Sequence, residues 1–180
     1  MKALNDASAA AARKDYASAA GYLEFYAEAG DAVAQDQLGK LYLSGGKDLP
    51  QDFAKAIDLF SKAAEQGNGS GQRHLAIAYE KGQGVAVDTA MAQKWYLKAA
   101  DRGDAFAQTA VGKMYADGKG VPQDYVQAYK WFTLALSGIL TDSEKEMRED
   151  ALANRTAVGA KMSSSQITSA QKLVREWVAH

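Results

Sequence analysis

The sequence contains no cysteine, two prolines and two histidines. The missing cysteines exclude a disulfide framework, thiol catalysis and thiolate-bound metal. The histidines, His74 and His180, are too few and too far apart in sequence for a histidine-rich metal site. No stretch reaches the roughly 18 uninterrupted apolar residues of a membrane-spanning helix, so none is expected. Neither charge is in excess: 21 Lys and Arg stand against 22 Asp and Glu, for a net charge of −1. A dedicated nucleic-acid binder would carry a basic surplus, so no nucleic-acid partner is expected. Valine, isoleucine and threonine are sparse, which disfavours an extensive sheet.

What the chain does have is alanine, about a fifth of its 180 residues. Alanine has the best helix propensity, and only Pro50 and Pro122 interrupt the chain with the worst. A hydrophobic share of 47% rules out global disorder. The length allows one domain or one continuous repeat array.

An internal repeat organises the chain. Gly30-Asp31-Ala32-Val33-Ala34-Gln35 recurs as Gly103-Asp104-Ala105-Phe106-Ala107-Gln108, with Gly67-Asn68-Gly69-Ser70-Gly71-Gln72 as a weaker copy between them. The period is 37 and then 36 residues, the range of helical-pair solenoids. Leu38-Gly39 and Tyr42 correspond to Leu75-Ala76 and Tyr79, then to Val111-Gly112 and Tyr115. A glycine turn follows in each copy, then Asp52, Asp88 or Asp124. Each unit closes on an alanine–aromatic stripe: Ala56, Leu59-Phe60 and Ala63-Ala64, then Ala92, Trp95-Tyr96 and Ala99-Ala100, then Ala128, Trp131-Phe132 and Ala135.

Each unit reads as two antiparallel helices. Ala34, Leu38, Leu41 and Tyr42 share one face at helical spacing. The small residues at 39, 76 and 112 let the partner helix approach closely. Asp52, Asp88 and Asp124 suit helix N-caps, whose side chains take up orphan N–H groups. Because one pair cannot bury its own apolar faces, the pairs must stack. Leu38, Tyr42, Leu75, Tyr79, Trp95, Tyr115 and Trp131 are the expected core, and about ten helices are expected in all.

These residues resemble the Sel-one-like repeat (SLR) family, relatives of the tetratricopeptide repeat. Tyr115-Ala116-Asp117-Gly118-Lys119-Gly120-Val121-Pro122-Gln123-Asp124-Tyr125 is close to the family form. The resemblance implies an all-α, right-handed superhelical α/α solenoid of antiparallel helix pairs. The expected organisation is a single solenoid domain over 1–180: an N-terminal capping unit at 1–29, repeats at 30–66, 67–102 and 103–138, and C-terminal capping helices over 139–180. Within the last segment, 142–162 reads as a long charged helix, and Ser163-Ser164-Ser165-Gln166 opens another that runs to Val178. Two departures stand out. The first repeat has an extra residue in Gly45-Gly46-Lys47-Asp48-Leu49-Pro50 and lacks the second turn glycine. The second repeat has Gly69 and Gly71 where alanines are usual, so a looser helix start is expected there.

No assembled catalytic centre is evident. Ser44-Gly45-Gly46-Lys47 spells the S-x-x-K of penicillin-interacting enzymes. That chemistry needs Ser and Lys one turn apart on a helix, with S-D-N and K-T-G partners. The tetrad falls in the glycine turn and neither partner motif occurs. No G-x-x-x-x-G-K-S/T loop exists to cradle phosphates. His74 has no acidic neighbour at ligand spacing and reads as a surface or groove histidine. No enzyme activity, cofactor or metal is therefore expected.

The remaining candidate is a groove. In tetratricopeptide-like stacks the first helices line the concave face. Counting from the Leu-Gly landmark assigns Val33, Asp36 and Lys40 to it from the first repeat, Arg73, Ile77 and Glu80 from the second, and Phe106, Thr109 and Lys113 from the third. This mixture of apolar, basic and acidic residues suits an extended peptide, with charges fixing register and apolar residues as anchors. The mixture does not suit a uniform polyanion, and the expected function is a non-catalytic scaffold or adaptor acting as a monomer on a protein or peptide partner. The alternatives are a peptidoglycan- or β-lactam-related enzyme and a cell-wall-binding accessory protein. Met1-Lys2-Ala3-Leu4 opens no apolar signal region. A cytoplasmic location is expected if Met1 is the native start, and a periplasmic or secreted one if a leader has been removed.

Overall fold

The computed structural model describes residues 2–138 and 144–179. Among them are ten α-helices and no strand. Two compact units contain them, Met1–Asp88 and Thr89–His180. The first holds α1 (Lys2–Ala12), α2 (Tyr16–Glu28), α3 (Ala32–Ser44), α4 (Phe53–Glu65) and α5 (Gly69–Lys81). The second holds α6 (Thr89–Asp101), α7 (Ala105–Asp117), α8 (Tyr125–Gly138), α9 (Lys145–Gly159) and α10 (Ser164–Val178). The charged helix expected over 142–162 is α9, and residues 142 and 143 lie outside the described residues.

The repeat sequence sets where the helices start and stop. Gly30, Gly67 and Gly103 take φ of 92°, 83° and 85°, a region that L side chains resist. The next residue in each case is an N-cap: Asp31, Asn68 or Asp104 accepts from a backbone N–H in the first turn of α3, α5 or α7. Asp52 caps α4 through the Lys55 N–H, and Asp124 caps α8 through those of Val126 and Gln127. Gly45, Gly82 and Gly118, again at positive φ, close the first helices. Asp15 opens α2, where hydrogen bonds from Ser18 lower its carboxyl below the usual range. Ser163 and Gln166 form a reciprocal capping box at α10.

Within the first repeat α3 and α4 run antiparallel. Lys55 lies over the Tyr42 ring, Phe60 lies against Gly39, and Gln66 donates to Gln35, so positions rise along α4 as they fall along α3. The small residues work as the sequence implies. A methyl on Gly39 would lie 2.7 Å from Phe60 Cε1, and one on Gly112 would lie 2.7 Å from Phe132 Cε1. Phe60 and Phe132 are fully buried there.

A second stitch links each first helix to the helix before it. The carboxamides of Gln35, Gln72 and Gln108 donate to the carbonyls of Ala27, Ala64 and Ala100 at 3.0, 3.1 and 3.0 Å. All three glutamines are buried. Each satisfies a carbonyl in the last turn of a second helix, where the helix itself leaves acceptors open.

Most of the expected core is buried: Leu38, Tyr42, Leu75, Trp95 and Trp131. Tyr79 and Tyr115 are half-buried. Both sit near the C-terminal ends of first helices. The start of α5 differs from expectation. It spans 13 residues, like α3 and α7. A methyl on Gly71 would lie 2.7 Å from the Ala63 Cβ, so this glycine serves close packing rather than looseness.

Candidate functional site

In the first unit, α3 and α5 carry six of the nine candidate groove residues. Val33 is 45% exposed at the start of α3, and Lys40 is exposed two turns later. On α5, Arg73 and Ile77 are half-buried and Glu80 is exposed. Asp36 is different: it is 2% exposed. Its Oδ1 lies 2.7 Å from Nδ1 of His74, whose ring stacks on Phe60 with centroids 4.8 Å apart. Burying a carboxylate is costly unless a partner compensates it, and the imidazole is that partner. Asp36 and His74 therefore join the first helices of two successive repeats, and Asp36 offers little surface to a ligand. Sequence reading missed the pair because its members are 38 residues apart. The one available clue was a histidine on a first helix one repeat beyond an acid.

In the second unit, α7 carries the other three. Phe106 is 38% exposed and its ring lies 6.4 Å from that of Tyr96. Thr109 is 5% exposed, and its hydroxyl donates to the Ala105 carbonyl. Lys113 is exposed and pairs with Asp150 of α9 at 2.7 Å. The tail helix thus lies beside a first helix and engages one of its charges. Nothing in the repeat period fixes where α9 docks, so this pair is not legible in the sequence.

A cavity of about 410 Å³ opens in the first unit between α1, α2 and α3. Ala7, Ala11, Ala12, Leu23 and Leu41 give it an apolar lining, and Lys40 and Gln37 contribute from α3. The Ser44-Lys47 motif makes no catalytic pair, because Ser44 is the last residue of α3 and Lys47 lies in the bend beyond it. Among the described residues there is no group of three or more His, Cys, Asp or Glu placed to hold a metal ion. No described helix is long and apolar enough to cross a membrane.

The Sel1 repeat family model matches residues 32–68, 69–104 and 105–138. Protein sel-1 homolog 2 of Mus musculus and of Rattus norvegicus are each 50% identical over 44 residues, 24% of this chain. The match spans 6% of the length of those curated relatives. Among solved structures, a protective antigen of uropathogenic Escherichia coli that displays an SLR fold aligns with a TM-score of 0.76 and 33% identity, over 90% of this chain and 33% of that one. A Sel1 repeat protein of Oxalobacter formigenes aligns with a TM-score of 0.61 and 36% identity, over 64% of this chain and 87% of that one. Cysteine rich protein B of Helicobacter pylori aligns with a TM-score of 0.56 and 27% identity, over 74% and 95%.

Proposed function

This chain belongs to the Sel1 repeat family, and from that premise we propose that it is a non-catalytic scaffold holding a peptide or protein segment against the first helices of its repeats. Sel1 repeat proteins are in general protein-interaction scaffolds. The observation that carries the finer reading is the lateral contact of first helices within a unit, by Asp36–His74 between α3 and α5. That contact sets side by side the helices that carry Val33 and Lys40 on α3 and Arg73 and Ile77 on α5, with Lys40 and Ile77 at repeat-equivalent positions. Alternating apolar and charged groups suit an extended segment whose register is read by charge. The separation of Ser44 and Lys47 supports the non-catalytic reading, as does the lack of a metal-ligand cluster among the described residues.

A photo-crosslinking amino acid placed at Val33, Ile77 or Phe106, and at Asp58 on α4 as a control, tests this in lysate of the source organism. The expected result is partner adducts from the three first-helix positions and none from Asp58. Adducts from Asp58 alone would move the binding face to the second helices. Once a partner is in hand, Arg73→Ala should weaken it about tenfold, the scale of a binding hot spot.

A further inference from the structure

We propose that the cavity between α1, α2 and α3 is the specificity pocket of the peptide-binding face, taking one large apolar side chain of a peptide that carries a carboxylate beside it. The inference rests on the scaffold reading above and adds the chemistry of the ligand.

The volume comes first. About 410 Å³ lies within the range of pockets that enclose a ligand group, about 300–1,000 Å³. It exceeds what one packing defect leaves. Its origin is in the sequence. The α1 wall consists of Ala7, Ser8, Ala11 and Ala12, side chains too short to reach α3. Between α3 and α5, by contrast, the first helices are joined by Asp36 and His74. Leu23 from α2 and Leu41 from α3 add apolar wall, so an occupant gains chiefly by losing water from an apolar side chain.

The charge comes second. Among the described residues Lys40 is the one charged residue in the lining, and no ion pair holds it. No carboxylate among the described lining residues opposes it. A lone ammonium beside an apolar space, flanked by Gln37, Ser8 and Ser44 as hydrogen-bonding groups, is complementary to an anion attached to an apolar body. Its position on a first helix, in line with exposed Val33, places that anion on a segment running along the face.

The third observation is that the end of the pocket is fixed by the segment in which the first repeat departs from the others. Gly46 packs against the ring of Tyr16, a lining residue, at a distance that admits no Cβ. Asp48 Oδ2 accepts from the Ala17 N–H at 3.0 Å. The extra residue of the 45–50 turn thus brings that turn onto the start of α2 and holds Tyr16 in place. Preorganised walls lower the cost of ordering on binding.

The test is selection of a phage-displayed random short-peptide library on the full chain, followed by affinity measurement of the winners on variants. Selected peptides should place Phe, Tyr, Trp, Leu or Met next to Asp or Glu. Lys40→Glu should weaken them about tenfold or more and, when selection is repeated on it, should favour Lys or Arg at the acidic position. Ser8→Phe, an exposed substitution that fills the pocket from α1, should weaken them similarly while circular dichroism shows an unchanged melting temperature. If Ser8→Phe melts early, the Lys40→Glu charge swap decides alone. Winners indifferent to both variants but lost in Ile77→Asp would overturn the pocket and leave the binding face standing. A library that yields no binder would overturn both.

Discussion

Two glycines separated by one residue predict opposite outcomes for the same substitution. Gly69 opens α5 with nothing within 4 Å of where a Cβ would sit. Gly69→Ala should therefore stabilise by about 0.5–1 kcal/mol, through the smaller backbone entropy of alanine. At Gly71 the new methyl would meet Ala63 Cβ at 2.7 Å and the Ala64 backbone nitrogen at 3.2 Å. The alanine gain is then outweighed by overpacking, and Gly71→Ala should cost about 1–3 kcal/mol. Urea melts of the two variants check this, and equal shifts would show that α5 does not approach α4 as described. The Asp36–His74 pair belongs to the same scale. His74→Phe keeps a ring over Phe60 but leaves a nearly fully buried carboxylate without its partner. A loss of about 3 kcal/mol is expected, with Asp36→Asn restoring part of it in the double variant. Additive losses would mean that the pair contributes only by packing.

At the scale of elements, the repeat told most of the story in advance. Glycine turns, the caps at Asp52 and Asp124 and the aromatic stripe fall where the 36–37-residue period puts them, because each depends on the local chain: a positive φ, a capping carboxylate, one helix face. What stayed hidden depends on which side chains meet across helices. Asp36 with His74, Lys113 with Asp150, and the cavity walled by alanines of α1 all follow from tertiary register. The period does not encode that register. Gln35, Gln72 and Gln108 lie between these cases: their recurrence is plain in the sequence, while their bond to a carbonyl eight residues back becomes visible only in three dimensions. The α8 stripe carries a prediction of its own. Lys130 lies over the Trp131 ring at 4.1 Å, and burial pushes its ammonium below the ordinary lysine value of 10.5, with nearby Asp101 pulling the other way. A lysine whose pKa falls on folding holds fewer protons in the native state than in the unfolded one, so stability rises with pH between its lowered value and 10.5. Lys130→Met should remove that rise. Melting temperatures of both proteins from neutral pH to about pH 10.5 should converge toward the alkaline end, and parallel curves would show that burial does not disfavour the charge.

For the molecule as a whole, the question is what covers the last helix of the third repeat. A helix pair whose outer face has no neighbour exposes the surface that stacking would bury, which is why repeat arrays need capping elements. In the second unit α9 and α10 both pack on α8. Val158 of α9 joins Ala128 and Phe132 in one buried cluster, with Tyr125, Tyr129 and Met162 around it. Gly159 sits against Tyr129, where a Cβ would come within 3.2 Å of the ring. Ala151 and Ala170 are completely buried, one on each tail helix. This degree of burial goes beyond a loosely attached charged tail, although α9 is among the more polar helices of the chain. A chain ending at Gly138 would uncover the α8 face that carries Phe132 and Tyr129. It should bind a hydrophobic dye, scatter light at concentrations where the full chain stays clear, and melt at a lower temperature. The Val158→Asp variant of the full chain, which places a charge in the same cluster without removing any residue, should move in the same direction by about 2–4 kcal/mol. If the shortened chain stays dispersed, dye-free and as stable as the original, α8 needs no cover from the tail helices, and α9 serves the face through Lys113 and Asp150 rather than the core through Val158.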